Sequence, residues 1–327
     1  MLNFCTLFDS NYFSRGVVMH QSLLEKCSDF HLYIFAFDDI ALSLLRELKL
    51  KNATIISLTE FEDAQLLAVK SGRSTAEYCW TSTPSTVLYC INEFNLDHCT
   101  YIDADLFFFN DPKVLVDEMG DKDVLITEHR YTYETEETKL AGKYCVQFIT
   151  FKNTEKGMAV LNWWRNACLD WCYARYEDGK FGDQKYLDDW TERFEGVHVL
   201  QNIGGGVAPW NIQQYDVYKK KDILYIKEKR TQTEEKVIFY HFHYLKFYEG
   251  NVVDAGVYKY SKADIELIYK PYIQAIDNLY NELARRDILI PYKIKKGSFH
   301  RLRMLLLAYR RKQKEYRIYR MKDFINK

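Results

Sequence analysis

Short continuous apolar runs alternate with stretches in which apolar positions recur at helical spacing, and this alternation organises the first half of the chain. Residues 3–8 read as a strand ended by Asp9-Ser10-Asn11, and residues 17–26 as a helix. A second strand is predicted over 31–37, closed by Asp38-Asp39, with a helix following through Leu48. A third strand spans 53–58, and Thr59-x-x-Glu62 has the spacing of a capping box opening another helix. A helix near 84–94 leads into a strand over 100–102. Strands and helices in this order predict an α/β fold with a mixed, mostly parallel sheet covered by helices on both faces. Ligands of such sheets bind beyond the carboxyl ends of the strands, where Asp9, Asp38 and Asp103 fall.

The second half is less regular. A strand is predicted over 144–151 and a helix over 154–175, with Leu161, Trp164, Cys168 and Trp171 on one face. Phe181-Gly182-Asp183-Gln184 reads as a loop entering a short helix, and 197–200 as a strand. Gly204-Gly205-Gly206 would let backbone approach a ligand closely, although it lacks the spacing of a phosphate-binding loop. A strand over 237–240 runs into His241-Phe242-His243, and strand alternation puts the two histidines on one face. From Ser261 the pattern turns helical, with a cap at Ser261-x-x-Asp264 and a kink expected at Pro271.

Composition adds three points. With 327 residues, 47% hydrophobic and 16% aromatic, the chain can bury a large core, and the pattern divides it into a domain over 1–255 and a helical extension over 256–327. The net charge of −1 hides an asymmetry, because residues 291–327 carry thirteen Lys/Arg against two acids. This basic amphipathic segment suits peripheral contact with an anionic membrane surface or packing on the core, and the acidic remainder argues against nucleic acid. Eight cysteines without metal-site spacing read as reduced thiols. With no signal-like start and no spanning run, these features place the protein in the cytoplasm or on the inner face of the membrane.

The chemistry centres on Tyr101-Ile102-Asp103-Ala104-Asp105, two acids set between apolar segments. Burying such a pair is costly unless something compensates it, and a hard divalent cation, Mn²⁺ or Mg²⁺, would do so. Asp121-Lys122-Asp123 has the same spacing but reads as a solvated turn. His241 and His243 are candidate further ligands, each weighed against a satisfied core histidine. Three classes compete on this evidence. One is a phosphohydrolase of the haloacid dehalogenase type using Asp103 and Asp105, with Gly182-Asp183 and Asp188 as its later element. Another is a scaffold acting through the basic tail, which leaves the acids unexplained. The third is a metal-dependent nucleotide-sugar transferase.

In its layout the chain resembles the GT-A glycosyltransferases, and within them family eight, over roughly residues 3–250. Leu7-Phe8-Asp9-Ser10-Asn11-Tyr12 resembles the family's first-strand motif, which implies that Asp9 and Asn11 meet the nucleoside. Asp103 and Asp105 match its metal motif. Asp183-Gln184 resembles the pair near the anomeric carbon, and His241-Phe242 begins a motif supplying a further metal ligand. Lys246 is the nearest match to its diphosphate lysine. Three departures stand out: Cys145-Val146-Gln147 replaces an Asn-Ser-Gly, Tyr244-Leu245-Lys246-Phe247 replaces the end of the His motif, and an arginine is missing near Thr83-Pro84. The resemblance implies a divergent bacterial hexosyltransferase with a UDP-sugar donor and a surface-polysaccharide or lipid-linked glycan acceptor.

Overall fold

The computed structural model describes residues 1–290 except 136, 250 and 289, together with 306, 309 and 318–325. The chain forms fifteen described strands. They are β1 (Leu2–Phe8), β2 (Phe30–Ala36), β3 (Ala53–Ser57), β4 (His98–Ile102), β5 (Leu106–Phe108), β6 (Val124–Glu128), β7 (Tyr144–Lys152) and β8 (Val197–Val199). The later ones are β9 (Tyr215–Lys220), β10 (Ile223–Glu228), β11 (Glu234–Lys236), β12 (Phe239–His241), β13 (Lys246–Tyr248), β14 (Val252–Asp254) and β15 (Ile318–Arg320).

Seven strands make the central sheet in the order β3-β2-β1-β4-β7-β6-β8. β3, β2, β1 and β4 run parallel, while β7 is antiparallel to both β4 and β6. The sheet is mixed and mostly parallel, as the alternation predicts. All of β1 is buried because helices cover both faces. Its side chains alternate between two cores: Leu2, Phe4 and Phe8 pack on one side, Cys5 and Leu7 on the other. The helix Lys270–Arg285 puts Tyr272, Ile273, Ile276, Leu279 and Leu283 into the core that holds Phe4.

Several boundaries differ from the sequence reading, each for a local reason. The capping box is Ser57 with Glu60, one turn's start earlier than Thr59-x-x-Glu62, because β3 already ends at Ser57 and leaves it extended to cap Leu58–Phe61. The helix before β4 begins at Thr75 behind a Ser74–Glu77 capping box, so Pro84 lies inside it. Around that proline, the hydroxyls of Thr81, Thr83 and Thr86 donate to the carbonyls of Glu77, Cys79 and Thr83. The first helix starts at Phe13, four residues earlier than its apolar pattern suggested. The helix Glu155–Asp170 stops short of 175, with Trp171 extended. Pro271 produces no mid-helix break: a π-helical segment, Ile265–Tyr269, precedes it and leaves it in the first turn of Lys270–Arg285. The basic segment falls largely outside the described residues. Among the described residues, no helix is long and apolar enough to cross a membrane.

Candidate active site

The site is assembled at the carboxyl end of β4. There the Asp103 amide donates to the Gln147 carbonyl of β7 at 3.1 Å, extending the β4–β7 ladder by one residue. The chain then turns into β5, which pairs antiparallel with β12 so that His241 stands opposite Leu106. The Phe242 amide donates to the Asp105 carbonyl at 2.9 Å. This short two-stranded ladder carries His241 to the acids. Its Nε2 lies 3.1 Å from Asp105 Oδ1 and 3.7 Å from Asp103 Oδ2. One ligand atom each from Asp103, Asp105 and His241 falls within 4.8 Å of the others.

Electrostatics separate the two acids. Burial opposes ionisation of Asp105, but the charge and hydrogen bond of His241 outweigh it and hold the carboxyl down at about 2. Burial dominates at Asp103, which rises to about 6 with the Asp105 charge adding to it against the pull of His241. His241 is itself buried, which opposes its charge, yet Asp105 and then Asp103 raise it well above the ordinary range. Two carboxylates and an imidazole, with Asp103 half-buried and the other two buried, form a donor set suited to Mn²⁺ or Mg²⁺. Asp121-Lys122-Asp123 is a turn, in which Asp123 accepts from Thr154 Oγ1 at 2.7 Å.

His243 shares the face of His241 but is not among the three converging ligands; its ring packs 5.5 Å from Trp210 and 5.7 Å from His241. Burial, with the nearby His241 charge, lowers it to about 4. Trp210 is buried, donates from Nε1 to the His129 carbonyl at 2.9 Å and meets the rings of both His241 and His243.

Asp183 is only 6% exposed. Burial and the charge of Asp103 raise it to about 7. Its carbonyl accepts from Trp164 Nε1 at 2.9 Å, and Gln184 follows, half-buried, at the start of a 3₁₀ turn. On the β1 side, Asp9 Oδ1 accepts from the amides of Asn11 and Tyr12, and Asn11 Nδ2 donates to Asp9 Oδ2 at 2.9 Å. Asp38 caps its helix and accepts from Ser10, so it braces this loop. Burial raises the half-buried Cys79 thiol, the charges of Asp9 and Asp183 both act on it and raise it further, and that of Asp103 acts on Asp183. Lys246 is half-buried in β13, its Nζ 5.6 Å from the Tyr244 ring.

Two site residues were missed from sequence. Arg15 donates to the Leu245 carbonyl at 2.9 Å and to the Asn11 carbonyl at 3.2 Å, and its charge helps hold Asp105 ionised. Its place four residues after Asn11 was the available signal. Gln147 Oε1 lies 2.8 Å from His241 Nδ1. The glycine run turns inward: a Cβ on Gly204 would meet the Lys236 carbonyl at 1.8 Å, and one on Gly206, at φ +86°, would meet Thr127 Cγ2 at 2.7 Å. These glycines pack closely against the chain itself.

Elsewhere, all eight cysteines are free thiols, as read. Cys5, Cys90 and Cys99 bring their sulfurs within 4.8 Å of one another, fully buried, a meeting of two strands and a helix that linear spacing does not reveal. A surface depression of about 860 Å³, lined by Asp97, His98 and Lys152 among others, lies at the amino end of β4, opposite the acids.

No family model matches the chain. It is 31% identical to protein YfnD of Bacillus subtilis (strain 168) over 292 residues, covering 86% of this chain and 90% of that one. YfnF of the same organism is 28% identical over 292 residues, with 87% and 94% covered. Among solved structures, the galactosyltransferase LgtC, in complex with donor and acceptor sugar analogues, superposes with a TM-score of 0.50 at 12% identity, over 85% of this chain and 96% of its own. Mouse xyloside xylosyltransferase 1 gives a TM-score of 0.46 at 14% identity, over 74% of this chain and 98% of its own. The chain therefore belongs to the family of Bacillus subtilis YfnD, and its fold is the GT-A fold of glycosyltransferases.

Proposed function

We propose that the protein transfers a hexose from a nucleotide-diphosphate sugar, uridine-based, to a surface-polysaccharide or lipid-linked glycan acceptor. The observation that carries this reading is the convergence of Asp103, Asp105 and His241 where the parallel strands end. In this reading those three side chains hold Mn²⁺ or Mg²⁺, with His243 beside them. The bound cation supplies charge neutralisation for a diphosphate leaving group.

Asp9 and Asn11, locked together in one turn, present the nucleoside end of the site. Arg15 and Lys246 contribute positive charge on the same side, suited to phosphate oxygens. Asp183, raised to about 7, can take a proton at its carboxylate near neutral pH and is the general base if configuration inverts. If configuration is retained, Gln184 stabilises a positively charged sugar and the departing phosphate takes the acceptor proton. Trp164 fixes the Asp183 backbone in either case.

The phosphohydrolase reading finds one residue of its later element already engaged, because Asp188 accepts from Lys185 Nζ at 2.8 Å and the Lys143 amide at 2.7 Å. The GT-A fold offers it no support either. Thermal-shift measurements with UDP-, GDP-, CMP- and dTDP-sugars, each with and without Mn²⁺, test the proposal. A Mn²⁺-dependent shift with a UDP-sugar, followed by UDP release, is expected. Stabilisation by simple phosphate esters alone would overturn it.

A further inference from the structure

Gln147 touches both halves of the acid–histidine cluster. Its backbone carbonyl accepts from the Asp103 amide at 3.1 Å. Its side-chain oxygen lies 2.8 Å from His241 Nδ1. An amide oxygen can only accept, so Nδ1 must carry the hydrogen, and Nε2 is the nitrogen turned toward Asp103 and Asp105. The side chain is fully buried. On one side it meets Gly206, where an added Cβ would come within 3.2 Å of Gln147 Nε2.

A second detail argues that the site has shaped this residue. Gln147 Nε2 is buried without a hydrogen-bond partner. An orphaned amide donor costs stability, and an apolar side chain of similar size would avoid that cost. What the glutamine offers in return for that cost is its oxygen, held against His241 Nδ1.

We infer that Gln147 is a positioning residue for the cation site, fixing the His241 tautomer through its side chain and the height of Asp103 through its main chain. The inference rests on the metal reading of Asp103, Asp105 and His241 proposed above. Partners of this kind, standing behind a metal-binding imidazole, typically alter metal affinity by about 10–100-fold when removed.

The test is Mn²⁺ binding to the full chain without donor, followed by electron paramagnetic resonance, for the wild type, Gln147→Leu, Gln147→Asn and Gln147→Glu. Leu removes the acceptor and the orphaned donor together, so a purely structural role predicts equal or higher melting temperature and unchanged affinity. The positioning role predicts about 10–100-fold weaker Mn²⁺ binding with Leu and with the too-short Asn, and recovery with Glu, which keeps an oxygen at the same reach. With diamagnetic Mg²⁺ bound, imidazole ¹⁵N shifts should show His241 losing its fixed Nδ1–H state in the Leu variant. Wild-type affinity in a folded Leu or Asn variant overturns the inference while leaving the metal reading intact. Absence of Mn²⁺ binding by the wild type overturns the metal reading, and this inference with it.

Discussion

His241 Nε2 stands 3.1 Å from Asp105 Oδ1 although 136 positions separate them in the chain, and the two are brought together by the antiparallel pairing of β5 with β12. In the metal-free protein this contact is an ion pair. Asp103 and Asp183 are forced to share its surroundings, and their behaviour follows from that crowding.

Stability without metal should rise as pH falls from about 8 to about 6.5, the range above the point where the buried histidines begin to oppose it. Asp103 at about 6 and Asp183 at about 7 bind protons more tightly in the folded chain than in the unfolded one. Folding therefore gains from protonation across that window, and His241, raised, acts in the same direction. Asp105, held at about 2, has the opposite sign, and its contribution is lost only below about 4. Melting temperatures of chelator-treated protein measure this, and Asp183→Asn should flatten the upper part of the profile. A profile that instead falls on acidification from about 8 to about 6.5 would contradict these assignments; below that range the buried His129 and His243, held down at about 3 and about 4, work the other way.

Asp183→Asn should lower kcat by about 10²–10⁴-fold if Asp183 is the proton acceptor, with little change in donor KM. The rising limb of the pH–rate profile near 7 should vanish with it. A variant that keeps that limb assigns the proton elsewhere.

Removing Arg15 should weaken donor binding more than it weakens folding. Its guanidinium is tied to the Leu245 and Asn11 carbonyls, so it is held in place before any anion arrives. Arg15→Ala is expected to raise the dissociation constant for a UDP-sugar by about tenfold, roughly 1.4 kcal/mol. Calorimetry with the uncharged nucleoside as control separates loss of phosphate contact from a general loss of affinity.

The position of the capping box can be measured directly. Ser57→Ala removes the acceptor for the Glu60 amide and should cost about 1 kcal/mol in denaturant unfolding. Thr59→Ala, at an exposed position inside the short helix, should change stability by less than about 0.5 kcal/mol.

These positions also show what the sequence could convey. Asp103 and Asp105 were legible because acids between apolar segments break a local rule and demand a reason. The parallel part of the sheet was legible from its alternation. His241 was legible only as one of two histidines, since the choice is made by the register of β12 against β5. The roles of Gln147 and Arg15 were not: their decisive partners lie 94 and 230 residues away, and neither the motif departure at 145–147 nor the spacing of Arg15 from Asn11 names them. The glycines at 204–206 were seen, but their meaning depends on what lies beside each Cα, which only the folded chain supplies.

Arg130 ties down the segment that follows β8. One guanidinium donates to the carbonyls of Leu200, Asn202, Ile203 and Gly205, and the Val207 carbonyl beyond them receives the His241 amide. Peeling this segment away would strand four carbonyls and a cation at once, so it moves as a block or not at all. The segment that hands its Val207 carbonyl to His241 is therefore a fixed edge of the acid–histidine cluster.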